Sequence, residues 1–372
     1  MLWSPATHNN SFLSTPYVKG TTILFSRTIY AISWFYLAPE IPRLLEEFHV
    51  SSSLSGVIPL SFFLGSGLMQ IPSAYLGTRI GQRNSLILGL LIMSVSAFSV
   101  ALSGSFVSIS LSYFLGGIGA SMFFSSGGAI LSDLNRERLG FSLGLYNALF
   151  CVGGFLGLNW ALIYNIVGFT LGAILVGTLT LISALLNFRL PNPRPSWRAI
   201  RNRKVIILGV ATAGVWGVYY AVGELLPSFM VFYEHQRALT SSAVTSLLLV
   251  FSALGGVMGW LGDRTSKMRL MIVSAVITSL SPLLIYTPFY VFALVILGIF
   301  NELAISLLYS VTALEGGIRN SSITLAVVNS LNISLGTWLE FLAGYLGFSA
   351  WAVLSLSGLV PLLLLMGLRT RT

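Results

Sequence analysis

Long apolar runs alternate with short breaks along the whole chain, and the breaks contain charged residues, proline or glycine. A helix needs about 20 consecutive apolar residues to cross the hydrocarbon core of a bilayer. The runs approach or exceed that length, which predicts an all-α integral membrane protein with twelve transmembrane helices. The predicted spans cover residues 21–39, 54–77, 85–103, 107–131, 140–160, 165–188, 205–229, 241–262, 269–286, 289–313, 321–343 and 346–367. The break between the fifth and sixth spans is the weakest, because only Asn159, Tyr164 and Asn165 mark it.

The composition supports this class of protein. Only 8% of the 372 residues are charged and 55% are hydrophobic. A soluble domain usually has about 25% charged residues, because its surface must remain hydrated. We therefore expect most of the outer surface to face lipid, and we expect no soluble catalytic domain. The single cysteine, Cys151, rules out an intrachain disulfide.

The 20 Lys and Arg residues lie mainly between the apolar runs. If the N-terminus is cytoplasmic, 17 of them fall on the inner side of the membrane, Arg43 and Arg237 fall on the outer side, and Arg27 lies within a span. The positive-inside rule then predicts a multi-pass protein of the cytoplasmic membrane with both termini in the cytoplasm. Membrane topology and contact with lipid thus explain the net charge of +9 better than nucleic-acid binding does.

The two halves of the chain resemble each other. A Pro- and Arg-rich segment at residues 190–204 separates a first half, residues 1–189, from a second half, residues 205–372. Four landmarks recur in the same order at offsets that drift only from 188 to 182, namely Pro39 with Pro227, Arg79 with Arg264, Asp133 with Glu315, and Asn147 with Asn329. This recurrence predicts two homologous six-helix bundles joined by a basic cytoplasmic linker.

Specific residues extend the likeness to a known family. The loop after the second span reads Leu76-Gly77-Thr78-Arg79-Ile80-Gly81-Gln82-Arg83, and the loop after the eighth reads Leu261-Gly262-Asp263-Arg264. Together with a Gly-rich fifth span, these loops resemble the signature of the major facilitator superfamily. The resemblance implies a monomeric secondary active transporter that works by alternating access and needs no cofactor.

The same resemblance implies a set of gating residues in the loops. They are Arg79, Gly81, Arg83, Asp133, Asp263, Arg264 and Glu315. The first loop has Thr78 where the family usually has Asp, so we expect a weaker latch there, because an anion at a helix N-terminus gains about 0.3–1 kcal/mol. The alternative is that these loops merely carry inside-positive residues.

Four ionisable residues fall inside predicted spans, namely Arg27, Glu224, Glu302 and Glu340. A charge in the bilayer costs at least about 2.5–3.5 kcal/mol, so such residues are strong functional candidates. Glu302 lies near the midplane, and Arg27 lies roughly 9 Å in from the inner end of its span. Glu224 and Glu340 fall toward the outer ends of their spans and are the weaker candidates.

By the resemblance, spans one, four, seven and ten line a central cavity, which would hold Arg27, Glu224 and Glu302 together. Helical spacing adds neighbours on the same faces. The predicted residues for substrate binding and coupling are Arg27, Tyr30, Trp34, Trp216, Tyr220, Glu224, Asn301 and Glu302. Two alternatives stay open: Arg27 and Glu302 could form a fixed buried ion pair, and the aromatic residues could serve only in packing.

These observations predict proton-coupled movement of a small organic solute. Arg27 would contact an acidic or polar group, and Glu302 would carry the proton. Aromatic walls also suit a lipophilic cation, so multidrug efflux remains an alternative, as does a sensor that no longer transports. The sequence contains neither a GxxxxGK[ST] phosphate loop nor an HExxH, CxxC or GxSxG motif, so we expect neither an ATP-driven pump nor an enzyme nor a metal site.

Overall fold

The computed structural model describes residues 16–134, 139–194, 202–316 and 321–368, and every regular element in these ranges is a helix. The long helices are α1 (Pro16–Phe35), α2 (Val57–Ile80), α3 (Gln82–Ala101), α4 (Phe106–Leu134), α5 (Leu139–Leu158), α6 (Phe169–Leu186), α7 (Arg203–Phe232), α8 (Leu247–Val257), α9 (Lys267–Leu280), α10 (Tyr290–Gly316), α11 (Ser321–Gly336) and α12 (Ala350–Leu362). The short α-helices are Ile41–Glu47, Ala161–Val167, Ala238–Thr245 and Trp338–Leu346. Short 3-10 turns, such as Ala38–Glu40 and Ser52–Leu54, join several of them.

The prediction of an all-helical, multi-pass protein is confirmed. Within the described ranges, nine helical stretches are long and apolar enough to cross a membrane, and the count rises to ten if one bent pair is a single span. One of the nine, Ile323–Met366, is 44 residues long. The number of twelve spans stays a prediction.

The boundary between the fifth and sixth predicted spans differs from the prediction. α5 is followed by Ala161–Val167 at an angle of 41°, and the chain turns only at Gly168, immediately before α6. Gly168 has a φ of 82°, which glycine adopts at little cost. α5 ends just before Asn159, whose side chain donates to the Phe155 carbonyl oxygen, 2.9 Å away, in the last turn of that helix. Asn159 thus lies at the bend, whereas Tyr164 and Asn165 lie within Ala161–Val167, and Gly168 marks the start of α6 better than they do.

Helices α1–α6 and α7–α12 pack in corresponding ways. α1 packs on α5 and α6, as α7 packs on α11 and α12. α4 packs on α2 and α3, as α10 packs on α8 and α9, and α3 packs on α6 as α9 packs on α12. Between the two sets, α2 packs on α11 and α5 packs on α8. Since α2 corresponds to α8 and α5 to α11, these two contacts are also equivalent.

The two sets also meet through short elements at one end of the bundle, which we call the closed end. There Ala38–Glu40 contacts α7 and Ala238–Thr245, while Trp338–Leu346 contacts α2 and Ser52–Leu54. The approach is close, because a Cβ at Gly56 would collide with the backbone carbonyl oxygen of Glu340. The backbones of the two sets of helices therefore lie in close contact at Gly56.

The crossing of α2 and α11 depends on Gly67. The Ser330 hydroxyl donates to the Gly67 carbonyl oxygen at 2.9 Å. A Cβ at Gly67 would lie 2.6 Å from the Ser334 Oγ and 2.8 Å from the Ser334 backbone nitrogen. Since backbone cannot move aside as a flexible side chain does, the crossing leaves no room for a side chain here.

We expect Gly67→Ala to destabilise the protein by about 1–3 kcal/mol, because overpacking a tight contact forces neighbouring atoms apart. The measurement is the apparent melting temperature of the purified protein in detergent. Gly104→Ala is the matched control, since a Cβ at Gly104 meets no atom within 4 Å. Equal melting temperatures for the two variants would contradict the described crossing.

Candidate functional site

A cavity of about 50 Å³ lies between the two sets of helices. It is lined by residues from α1, α4, α5, α7, α10 and α11, namely Arg27, Tyr30, Trp34, Phe124, Asn147, Phe150, Trp216, Tyr219, Tyr220, Asn301, Glu302, Ile305, Tyr309, Asn329 and Ile333. A water molecule needs roughly 10–15 Å³ on this measure, so the cavity in this conformation has room for a few waters. A larger cargo would require the surrounding helices to move apart.

Arg27 is the cation of this cavity and is 3% exposed. Its guanidinium carbon lies 4.3 Å from the ring centre of Tyr146, 4.6 Å from that of Phe150 and 4.7 Å from that of Tyr30. Its Nε donates a long hydrogen bond of 3.4 Å to the Tyr146 carbonyl oxygen, and its buried Nη1 has no hydrogen-bond partner. Aromatic faces stabilise a cation, but they do not accept hydrogen bonds from its N–H groups as a carboxylate would. Arg27 therefore retains unused capacity to bind an anion.

Glu302 lines the same cavity from α10, and its charge interacts with that of Arg27. The two residues nevertheless form no ion pair within 4.0 Å in the part of the chain that the structure describes. The alternative of a fixed buried ion pair thus does not match this conformation. Beside Glu302, Asn301 is 2% exposed, and its Oδ1 has no hydrogen-bond partner.

Aromatic side chains from both sets of helices separate the cavity from the closed end. The ring of Trp34 lies 5.6 Å from that of Tyr220, and the ring of Phe63 lies 5.1 Å from that of Trp216 and 4.9 Å from that of Tyr220. Phe35 stacks on Tyr220 at 6.0 Å. We call these five residues the aromatic seal. Tilted and edge-to-face contacts of this kind add about 0.5–1.5 kcal/mol per pair beyond the burial of apolar area.

The structure brings together seven of the eight residues predicted for substrate binding and coupling. These are Arg27, Tyr30, Trp34, Trp216, Tyr220, Asn301 and Glu302. Their roles in binding and coupling stay predictions. Trp34, Trp216 and Tyr220 also pack in the aromatic seal, so the two interpretations of the aromatic residues are compatible.

Glu224 differs from the prediction, because it does not line the cavity. It lies one helical turn after Tyr220 on α7 and is 1% exposed. Glu224 interacts electrostatically with Glu340 and with Tyr113. The prediction placed Glu224 in the cavity by the family resemblance of span seven and by the helical face that it shares with Tyr220. Its depth toward the outer end of the helix, already visible in the sequence, places it beyond the aromatic seal.

Several lining residues were not predicted as part of the site. Among them, Asn147 on α5 and Asn329 on α11 occupy corresponding positions of the two halves, and the Tyr309 hydroxyl donates to the Asn329 Oδ1 at 2.9 Å. The signal was present in the sequence, since each is a polar residue in an apolar span and the two match at the repeat offset. Phe124, Phe150, Tyr219, Ile305 and Ile333 gave no such signal, because apolar residues on these helices are ordinary.

The predicted gating residues of the first loop make contacts within the first half. The exposed Arg79 donates to the Tyr75 hydroxyl at 2.6 and 3.0 Å, and the Thr78 hydroxyl donates to the Tyr75 carbonyl oxygen. Gly81 has a φ of 92° between α2 and α3. The backbone nitrogen of Arg83 donates to the Asn192 Oδ1 at 3.0 Å, which ties α3 to the segment after α6. Asp133 is exposed near the end of α4.

In the second half, the guanidinium of Arg264 lies 4.7 Å from the ring centre of Trp260. Glu315 pairs with Lys204 at 3.3 Å, and its carbonyl oxygen accepts a hydrogen bond from Asn202, the N-cap residue of α7. The side chain of Asp263 lies outside the described residues. The gating role of all these residues stays a prediction.

Comparison with known proteins identifies the family. The model of the Major Facilitator Superfamily matches residues 23–337, which is most of the chain. This chain belongs to the Major Facilitator Superfamily. The predicted family is thereby confirmed, and the chain is a multi-pass membrane transporter of that superfamily.

Two relatives of this superfamily member illustrate the range of similarity. The crystal structure of the human organic anion transporter MFSD10 (TETRAN) superposes with a TM-score of 0.74 over 93% of this chain and 98% of that chain, at 15% sequence identity. At that identity the likeness concerns the fold alone. An uncharacterised MFS-type transporter of Bacillus subtilis (strain 168), YceJ, is 31% identical over 87 residues, which cover 23% of this chain and 22% of the relative. The matched region thus spans about a fifth of that relative.

Proposed function

We propose that this transporter moves a small organic anion together with a proton across the cytoplasmic membrane by alternating access. The observation that carries the proposal is the buried, incompletely bonded guanidinium of Arg27, which shares one cavity with the carboxyl group of Glu302. No cofactor is needed for such a cycle, since a solute gradient or a proton gradient supplies the free energy.

Arg27 is suited to hold the anionic group of the cargo. A guanidinium remains protonated in proteins and presents donors in a planar fork that matches a carboxylate. A buried cation with an unused donor is costly, and an anion that fills this position removes the cost. Asn301 and Asn147 would offer hydrogen bonds to other polar atoms of the cargo, and the aromatic rings would contact its apolar part.

Glu302 is suited to couple the proton to the anion. Arg27 and Glu302 share one cavity, and a nearby positive charge favours the ionised form of a carboxyl group. When an anion binds Arg27, this stabilisation is cancelled, so Glu302 binds a proton more readily. Thermodynamic linkage makes the effect reciprocal: the proton on Glu302 strengthens binding of the anion by the same factor. Such coupling supports symport of an anion with a proton.

Export of a lipophilic cation is the second candidate. The aromatic lining and the carboxyl group of Glu302 favour it, because aromatic faces and a carboxylate both attract organic cations. The charge of Arg27 opposes it, since like charges in one small cavity repel. The fold likeness to an organic anion transporter accords with the first candidate but, at its low identity, adds little weight.

We further propose that twelve spans form two bundles, residues 1–189 and 205–372, joined by the basic linker 190–204. The 44-residue stretch Ile323–Met366 would then contain two spans, because about 20 residues suffice for one. The positive-inside rule would place both termini and the loops of Arg79 and Arg264 in the cytoplasm. The chain would work as a monomer, since each chain holds a complete cavity.

We expect Arg79→Cys and Arg264→Cys, each in a Cys151→Ser background, to react with a membrane-impermeant maleimide only from the cytoplasmic side. Both positions are exposed, and Cys151 is the one native cysteine. The measurement is labelling of intact cells compared with inverted membrane vesicles. If the two loops react from opposite sides, the arrangement of two parallel bundles is wrong.

We expect Arg27→Gln to weaken carboxylate binding by at least about tenfold, because a hydrogen bond to a charged group contributes about 1.5–3 kcal/mol. A thermal-shift screen of small carboxylates, sugars and lipophilic cations on the wild type selects the solute. Uptake of that solute into proteoliposomes is then measured with an imposed pH gradient. Glu302→Gln should still bind the carboxylate but should no longer accumulate it in response to the gradient.

Arg43→Gln serves as the matched control for Arg27, because the Arg43 side chain is 50% exposed and pairs with Glu40 outside the cavity. It should bind and transport as the wild type does. Proton-driven accumulation that persists undiminished in Glu302→Gln would remove Glu302 from the coupling role. Stabilisation of the wild type by lipophilic cations and not by carboxylates would favour the second candidate.

A further inference from the structure

Two carboxyl groups lie buried in the closed end, outside the central cavity. Glu224 on α7 is 1% exposed, and Glu340 on the helix Trp338–Leu346 is 0% exposed. The Oε1 atom of each has no hydrogen-bond partner. The Glu340 Oε2 accepts a long hydrogen bond of 3.4 Å from the Thr337 hydroxyl. Neither residue forms an ion pair among the residues that the structure describes.

These carboxyl groups occupy the contact between the two sets of helices. The helix that carries Glu340 packs on α2 of the first half and on α7 of the second. Glu224 and Glu340 interact electrostatically with each other and with Tyr113 of α4. Ser228 lies one turn after Glu224 on the same face of α7, is 2% exposed, and also has a hydroxyl without a partner. Closure of this end thus removes three polar side chains from water without giving their oxygens full hydrogen bonding.

Among the described residues packed around the two carboxyl groups, no cation forms an ion pair with them. The Tyr113 hydroxyl donates to the Trp34 carbonyl oxygen at 2.6 Å, and the Tyr36 hydroxyl has no partner. Arg43 pairs with Glu40 at 2.6 Å on the adjoining segment. Three further packed elements, α11, α12 and Ser52–Leu54, contain no ionisable side chain, and the one charged residue of α2, Arg79, lies at its last turn.

A buried carboxylate without a partner is very costly, and two adjacent ones also repel each other. When the groups carry protons, the repulsion is removed and the burial cost falls to that of a neutral carboxyl group. We propose that Glu224 and Glu340 form a gating proton site: they bind protons when this end of the transporter closes and release them when it opens to water.

This site has a different role from Glu302. The aromatic seal separates the gating protons from the cavity, so they enter and leave on the same side of the membrane. They therefore alter how pH controls the gate without adding to the number of protons transported per cycle. The inference rests on the alternating access proposed above, but its test needs no substrate.

The test measures the opening of the closed end directly. Spin labels are attached at Ser52→Cys and Thr240→Cys, which are exposed positions in opposite halves, in a Cys151→Ser background. Double electron–electron resonance then gives the distance distribution of the purified protein at several pH values. The closed state binds more protons, so the closed population should dominate at low pH and the open population should grow as pH rises. Linkage of one proton changes the ratio of the two populations by up to about tenfold per pH unit.

We expect Glu224→Gln with Glu340→Gln to keep the short distance at every pH, because the neutral amides impose no ionisation cost on closure. Each single substitution should reduce the pH dependence of the distance. The single variants therefore still test the proposal if the double variant does not fold. Glu234→Gln is the matched control, since Glu234 is an exposed carboxylate near the same end, and it should behave as the wild type does.

The proposal is overturned if the wild type shows no pH dependence, or if the dependence persists in the double variant. A distance change that follows Na⁺ at constant pH, and not pH at constant Na⁺, would also overturn the assignment to protons. Failure of the anion-uptake experiment would leave this distance measurement unaffected, so the two proposals can fail separately.

Discussion

The low dielectric of the bundle interior makes every charge there either paired, neutral or costly, and the residues that we propose as functional are those that the fold leaves incompletely paired. Arg27 is held among aromatic rings with a buried Nη1 that has no partner. Glu302 lines the same cavity as Arg27 but forms no ion pair with it among the described residues. A fixed ion pair would satisfy both groups and would leave neither free for a ligand. Their separation is what the proposed binding of an anion and a proton requires.

The packing of the helices creates this separation. Corresponding contacts in α1–α6 and α7–α12 bring α1, α7, α10 and α11 to the walls of the cavity, and α1 and α7 also supply four of the five residues of the aromatic seal. Closely packed backbone at Gly56 and Gly67 joins the two sets without large side chains. Such contacts are short-range, so a modest displacement of one set would break them together. This is the kind of interface that two discrete conformations require.

The sequence predicted the helical class, the position of most helices and seven of the fifteen residues that line the cavity, because burial in lipid demands long apolar runs and makes exceptions to them conspicuous. Arg27 and Glu302 were found in this way. The turn at Gly168 was missed because it depends on a backbone angle and not on polarity. Glu224 was assigned to the cavity because helical periodicity gives the face of a residue, whereas its depth relative to the aromatic seal depends on tertiary packing. Asn147 and Asn329 matched in the repeat, but periodicity alone did not show that they face the cavity.

The central claim is that the anion on Arg27 and the proton on Glu302 bind cooperatively. Isothermal titration calorimetry in buffers of different ionisation enthalpy counts the protons taken up when the selected carboxylate binds. The account predicts uptake approaching about one proton per anion in the wild type, near the pH at which Glu302 titrates, and none in Glu302→Gln. Equal proton uptake by the two proteins, or binding of the anion without uptake by the wild type at any pH, would contradict it.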